Sequence, residues 1–254
     1  MKRLIIILFL MIFCFGFGQS PHLKVLARQN ATESLNWTNI TFYWRFETQN
    51  LDNPGDDYSA GDDTGTVESG ASIGVSANFK SGTNGLDCPT GNDAMQFAAA
   101  SIITSAEGRV GFWLKPIARQ TGASCFGLFD SSENRFDLRY TGSGELKFAW
   151  RDANTARTDL DSSGASVDNA DEPFIEIAWQ SSSNYREIWV DGVSVASTTA
   201  STINTFADET GMVFETGDFN AIPSTDQHFD QCILISSDKD DVLYDFRDEL
   251  VYGG

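Results

Sequence analysis

From residue 41 onward, apolar and polar positions alternate in short runs, broken repeatedly by clusters of Gly, Ser, Thr, Asn and Asp. Period-two alternation bounded by such clusters marks half-buried strands, and no stretch carries the 3.6-residue period of an amphipathic helix. Strands are predicted over residues 41–47, 72–78, 94–98, 109–115, 125–129, 135–140, 145–151, 174–180, 186–190, 193–196, 211–215 and 229–236. Residues 50–72 are predicted as a long acidic loop and residues 152–172 as a polar loop. Pro116 is expected to end its strand, because proline offers no donor to a ladder. Thr141-Gly142-Ser143-Gly144 reads as a hairpin turn, and Asp191-Gly192 is the stronger signal, since a type I′ turn needs positive φ twice. In the hairpin over 135–151, Phe136, Leu138 and Tyr140 share one face with Leu146, Phe148 and Trp150. Asp137, Arg139, Lys147 and Arg151 take the other face, a one-side-wet pattern typical of antiparallel sheet. Trp44, Trp113, Trp179 and Trp189 alternate with polar neighbours and are expected in the core.

The chain begins Met1-Lys2-Arg3, continues with an apolar run, and reaches Gly16-Phe17-Gly18. A basic start, a short apolar stretch and small residues at −3 and −1 are the parts of a secretory signal peptide, here residues 1–18. The run is shorter than the ~20 apolar residues of a membrane span, and no later segment is long and apolar enough to serve as one. The expected layout is a polar segment over 19–40, one large β-domain over 41–237 and an acidic tail or edge strand over 238–254.

Acidic residues outnumber basic ones, giving a net charge of −19 over 254 residues. Removal of Lys2 and Arg3 with the leader makes it −21. Such a surface repels nucleic acid and anionic membranes. Cys88, Cys125 and Cys232 remain after the leader, an odd number that leaves at least one thiol without an intrachain partner. Cys125 and Cys232 sit in apolar runs and are expected to be buried, while Cys88 precedes Pro89 in a predicted loop. With only His22 and His228 as histidines, no Cys/His cluster at zinc spacing exists in the sequence.

Five segments, in order, resemble the laminin-G-like and concanavalin-A-like jelly-roll superfamily. They are Tyr43-Trp44-Arg45-Phe46-Glu47, the loop from Asp57 to Val67, Val110-Gly111-Phe112-Trp113-Leu114-Lys115-Pro116, Ile188-Trp189-Val190-Asp191-Gly192, and Phe229-Asp230-Gln231-Cys232-Ile233-Leu234-Ile235. The resemblance implies an all-β fold of two antiparallel sheets packed as a jelly-roll sandwich. Because the superfamily includes sugar-binding modules, adhesion modules, hydrolases and lyases, it leaves function open.

The resemblance also implies a structural calcium where a carboxylate near the first strand meets an Asp on the closing strand. Glu47 and Asp230 stand at those positions, with Asp57, Asp62 or Asp63 as further ligands from the acidic loop. Calcium takes 6–8 oxygen ligands, which carboxylates and carbonyls supply. Glu-x-Asp-x-x-Glu, the strand motif of related hydrolases, is absent. Glu172-Pro173-Phe174-Ile175-Glu176 lacks its spacing, and His228 is a lone candidate for lyase chemistry. The four-residue polar row Asp137, Arg139, Lys147 and Arg151 is the candidate glycan-binding surface, suited to acidic sugars through its cations. The alternative for that row is a solvated sheet face with cross-strand ion pairs. The leading expectation is a secreted, non-catalytic module that binds extracellular glycan. A self-associating structural protein is the second, and a lyase or hydrolase with an unrecognised site the third.

Overall fold

The computed structural model describes residues 42–44, 46, 66–68, 70–74, 77, 80, 83–89, 94–98, 103–130, 134–152, 155–169, 171–206, 209–215 and 226–235. The chain divides into two units, Met1–Asn36 and Trp37–Gly254, and all described residues fall in the second. Among them are fifteen strands and one short 3-10 turn, Ser181–Ser183.

In chain order the strands are β1 (Phe42–Trp44), β2 (Thr66–Glu68), β3 (Ser72–Gly74), β4 (Gly85–Cys88), β5 (Ala94–Ala98), β6 (Glu107–Ala118), β7 (Ser124–Asp130) and β8 (Arg135–Tyr140). They continue as β9 (Glu145–Asp152), β10 (Thr155–Ser166), β11 (Phe174–Gln180), β12 (Tyr185–Val190), β13 (Val193–Thr198), β14 (Glu209–Glu215) and β15 (Asp226–Ile235). They form two antiparallel sheets. The eight-stranded sheet runs β13-β12-β11-β6-β15-β4-β3, with β1 also paired to β15; the seven-stranded sheet runs β10-β9-β8-β7-β14-β5-β2. This is the jelly-roll sandwich the motif series implied.

The core between the sheets is aromatic. Trp44, Phe97, Phe112, Phe126, Phe136, Trp150, Trp179, Phe214 and Phe229 are all buried in one cluster. Their rings meet in edge-on and tilted contacts, such as Phe112 with Phe214 at 5.6 Å and 90° and Trp44 with Phe97 at 4.5 Å and 86°, geometries that suit the ring quadrupole. A polar tie crosses the core. The Tyr140 hydroxyl on β8 donates to Gln227 Oε1 on β15 at 3.1 Å, and Gln227 Nε2 donates to the Ser124 carbonyl on β7 at 2.9 Å. Both hairpins form as expected. Asp191 and Gly192 take φ of 50° and 74°, and Val190 pairs with Val193 across them.

Several expectations are corrected. Residues 155–166, expected as loop, form β10; Leu160 is the one long aliphatic residue there, so the strand is held by its ladder with β9 rather than by an apolar stripe. Within the stretch expected as an acidic loop, Thr66–Glu68 pairs with β5. Pro116 does not end its strand. It sits opposite Gln227 beside a register shift at Asp226/Gln227, and a bulge is where a sheet tolerates proline. Cys88 lies in β4, not in a loop, and all three described cysteines are buried. Trp113 and Trp189 lie on the outer face of the eight-stranded sheet and not in the central core. Trp113 packs on Phe174 beneath the Lys80 ammonium, and Trp189 lies beneath the Arg109 guanidinium.

Candidate functional site

The outer face of the seven-stranded sheet carries the expected polar row, and strand register arranges it in three lines. The first runs Gly211 (β14), Phe129 (β7), Arg135 (β8), Arg151 (β9). The second runs Gly127, Asp137, Ala149 and Asp159, the last on β10. The third runs Ser124, Arg139, Lys147, Asp161. Side chains two apart on a strand share a face, so these lines form one patch, which Ser124 joins across the register shift at Ser124/Phe126.

In the middle line, Gly127 and Ala149 flank Asp137 with almost no side chain, and all three are buried. Asp137 and Arg139 are buried although they face outward. Arg139 Nε donates to Asp137 Oδ1 at 3.0 Å and its terminal nitrogen donates to Oδ2, a two-pronged pair; Arg135 Nε is 3.7 Å from Oδ2. Burial pushes the Asp137 carboxyl above the usual aspartate range, against the pull of Arg139, Arg135 and Arg157. Asp137 therefore anchors the patch and positions Arg139.

The exposed groups stand in the two flanking lines. Arg151 is exposed, and Lys147 is partly so. Lys147 Nζ contacts Asp159 Oδ2 at 3.2 Å and Asp161 Oδ1 at 3.3 Å. Burial alone would lower the Lys147 pKa, but these two carboxylates outweigh it and hold it above the usual lysine value. Arg157 Nε also reaches Asp159, at 2.8 Å. Burial opposes ionisation of Asp159, yet Arg157 and Lys147 keep it below the usual range. The expected residues Asp137, Arg139, Lys147 and Arg151 are thus brought together, two as a buried anchor and two at the surface.

Sequence reasoning missed Phe129. Its ring occupies the space beside Gly211: a Cβ on Gly211 would lie 2.2 Å from the ring tip. The run 125–129 is apolar on both faces, so periodicity could not say that Phe129 points out. Gly211 inside a predicted strand was the available signal, because a strand glycine often marks a close approach. Asp159 and Asp161 were missed because β10 was read as loop.

The expected calcium ligands fare differently. Asp230 is fully buried and outward-facing, opposite Trp113, and its Oδ2 accepts the Lys80 backbone N–H at 2.9 Å. A bulge at Asp230/Cys232, with Gln231 at φ 41°, lets Phe229 and Cys232 both face the core. Glu47, Asp57, Asp62 and Asp63 lie outside the described residues. Glu176 faces outward but is buried, with Arg109 Nε on its Oε2 at 2.8 Å; its charge is already matched. No helix among the described residues is long and apolar enough to cross a membrane.

Comparison with known proteins agrees with this architecture. Among curated protein sequences none matches the chain. Solved structures with a similar fold include the binding domain of Paraclostridial Mosquitocidal Protein 1, at 12% identity and a TM-score of 0.59, covering 79% of this chain and 49% of that one. A botulinum neurotoxin serotype D ligand binding domain, solved with N-acetylneuraminic acid, aligns at 12% identity and a TM-score of 0.60, covering 85% and 51%. The chain therefore spans about half the length of these toxin domains. Domain 4 of AbnA, an extracellular arabinanase from Geobacillus stearothermophilus, solved with arabinotriose, aligns at 12% identity and a TM-score of 0.52, covering 78% and 92%. At such identities the likeness is one of fold. The family whose pattern matches residues 89–231, more than half of the sequence, settles membership: the chain belongs to the concanavalin A-like lectin/glucanases superfamily.

Proposed function

We propose that this protein is a secreted, non-catalytic module that binds acidic oligosaccharides on the outer face of its seven-stranded sheet. The observation that carries the reading is the line Phe129, Arg135, Arg151, one residue from each of three adjacent strands, beside the line of Gly127, Asp137 and Ala149. A sugar ring offers an apolar face and a rim of hydroxyls. An aromatic side chain supplies the matching apolar surface, and a few convergent polar groups fix orientation. Arg135, Arg151 and Lys147 add cationic donors, and guanidinium matches a carboxylate or sulfate in two-pronged geometry. Such a grouping of cations in a chain of net charge −19 favours acidic over neutral sugars. The sugar complexes known for the serotype D toxin domain and for the arabinanase domain, together with superfamily membership, support a lectin-like role. The test is a glycan array carrying neutral, uronate, sialylated and sulfated oligosaccharides. Selective retention on acidic glycans is expected; retention on none, or cleavage of the glycans, would overturn the proposal.

A structural calcium belongs to the same reading. β1 runs antiparallel to β15 with Trp44 opposite Cys232, which brings the end of β1 beside the strand that carries Asp230. A hard oxygen set of Asp230 and Glu47, with Asp57, Asp62 or Asp63, would suit calcium and tie the domain's ends together. Thermal unfolding with calcium and then with chelator tests it: an upward shift reversed by chelator is expected, and identical melts would remove calcium from the account.

A further inference from the structure

The outer face of the eight-stranded sheet holds a second cluster, remote in register from the glycan face and independent of it. Asp226 and His228 both lie on β15, with the register shift at Asp226/Gln227 between them. Asp87, on β4, is the cross-strand partner of His228. One ligand atom from each of the three residues lies within 4.8 Å of the other two. Some point therefore lies within about 2.8 Å of all three, and small rotamer changes would bring each to the ~2.1 Å of a zinc–nitrogen or zinc–oxygen bond.

The contacts inside the trio are unusual for an ordinary ion pair. His228 Nε2 is 3.3 Å from Asp87 Oδ1, yet that oxygen is shut off from solvent and receives no hydrogen bond. The ring nitrogen is thus close to the oxygen without a hydrogen bond between them. On the other side of β15, Lys115 is the partner of His228, and its ammonium sits 2.7 Å from Glu172 Oε1.

The geometry points to a divalent transition-metal site formed by Asp87, Asp226 and His228, with zinc as the best-suited class. Two carboxylates and a neutral imidazole match a dication. The imidazole favours zinc, cobalt or nickel over calcium, which prefers oxygen ligands alone. Three protein ligands leave coordination positions for water or an incoming ligand. The site joins β4 to the start of β15, where only Gln227, His228 and Phe229 pair with β4, so a bound metal would clip this short ladder.

The test is titration of the purified protein with Zn2+ alone, followed by calorimetry and by NMR of the imidazole protons. The sequence has two histidines, so His228 is readily distinguished. One equivalent of Zn2+ should bind, shift one imidazole and leave the other unmoved. His228→Asn and Asp226→Asn should each weaken binding at least about tenfold. Metal-free melting of each variant shows whether it folds, and Co2+ bound to the wild type reads the ligand set without any substitution. Cobalt bands free of thiolate charge transfer are expected. Thiolate bands would assign the metal to cysteine and overturn the proposal, as would an unshifted His228 imidazole, the absence of Zn2+ binding, or full affinity in folded His228→Asn.

Discussion

Phe129 and Gly211 are partners across β7 and β14, and the tip of the phenylalanine ring fills the space a Cβ on Gly211 would need. The bare backbone of one strand is thus the seat of the aromatic ring on the next. Gly211→Ala forces the ring off its seat. Overpacking of this kind costs about 1–3 kcal/mol, to be read as a lower urea midpoint, and glycan retention should fall with it.

Tyr140 and Gln227 join the two sheets through one hydrogen bond inside an apolar core. Tyr140→Phe keeps the ring and deletes the donor. Removing one partner of a buried hydrogen bond costs about 1–3 kcal/mol. Equilibrium unfolding should show this loss with no change in the denaturant slope, since the surface exposed on unfolding is unchanged.

Glu172 gives a pH dependence of known sign. Its partial burial opposes ionisation, but Lys115 and Lys80 outweigh it and hold its pKa below the ordinary glutamate value of 4.5. A depressed carboxyl contributes stability above its unfolded pKa, and this contribution fades as pH falls through the folded value. The group is about a third exposed, so solvent limits its contribution to less than about 1 kcal/mol. The difference in melting temperature between wild type and Glu172→Gln should be small at pH 7 and should shrink towards zero as pH falls below 4.5. A difference that grows on acidification would contradict the assignment.

Cys88, Cys125 and Cys232 are buried thiols with no disulfide. Burial also pushes the Cys232 thiol well above its usual value, which disfavours the reactive thiolate. A thiol reagent should label all three only as the protein unfolds, at the rate of unfolding. Labelling of fewer than three in denaturant without reductant would show a disulfide instead.

Much of the fold was legible because alternation and turn chemistry are local. Phe136, Leu138 and Tyr140 declared their face, and Asp191-Gly192 declared its hairpin. β10 was not legible, because an edge strand carrying Asp159, Leu160 and Asp161 has its pairing supplied by β9 rather than by an apolar stripe of its own. Trp113 and Trp189 misled for a related reason. A tryptophan beneath a lysine or arginine on an outer face has the same polar neighbours in sequence as one in the core. Of the candidate site, the polar row could be read from the hairpin alone. The aromatic Phe129 could not, since its seat on Gly211 comes from a strand more than eighty positions away.

The most direct test of the account is glycan-array retention of wild type beside Phe129→Ala and Arg151→Ala, with Val193→Ser on the exposed edge strand of the other sheet as control. The account predicts selective binding of acidic oligosaccharides by wild type and Val193→Ser. It predicts a loss of about tenfold in each of the other two, the scale of a single aromatic or charge-assisted contact. Undiminished binding by both folded Phe129→Ala and Arg151→Ala would show that the sugar is held elsewhere, and would contradict the claim that this face is the lectin site.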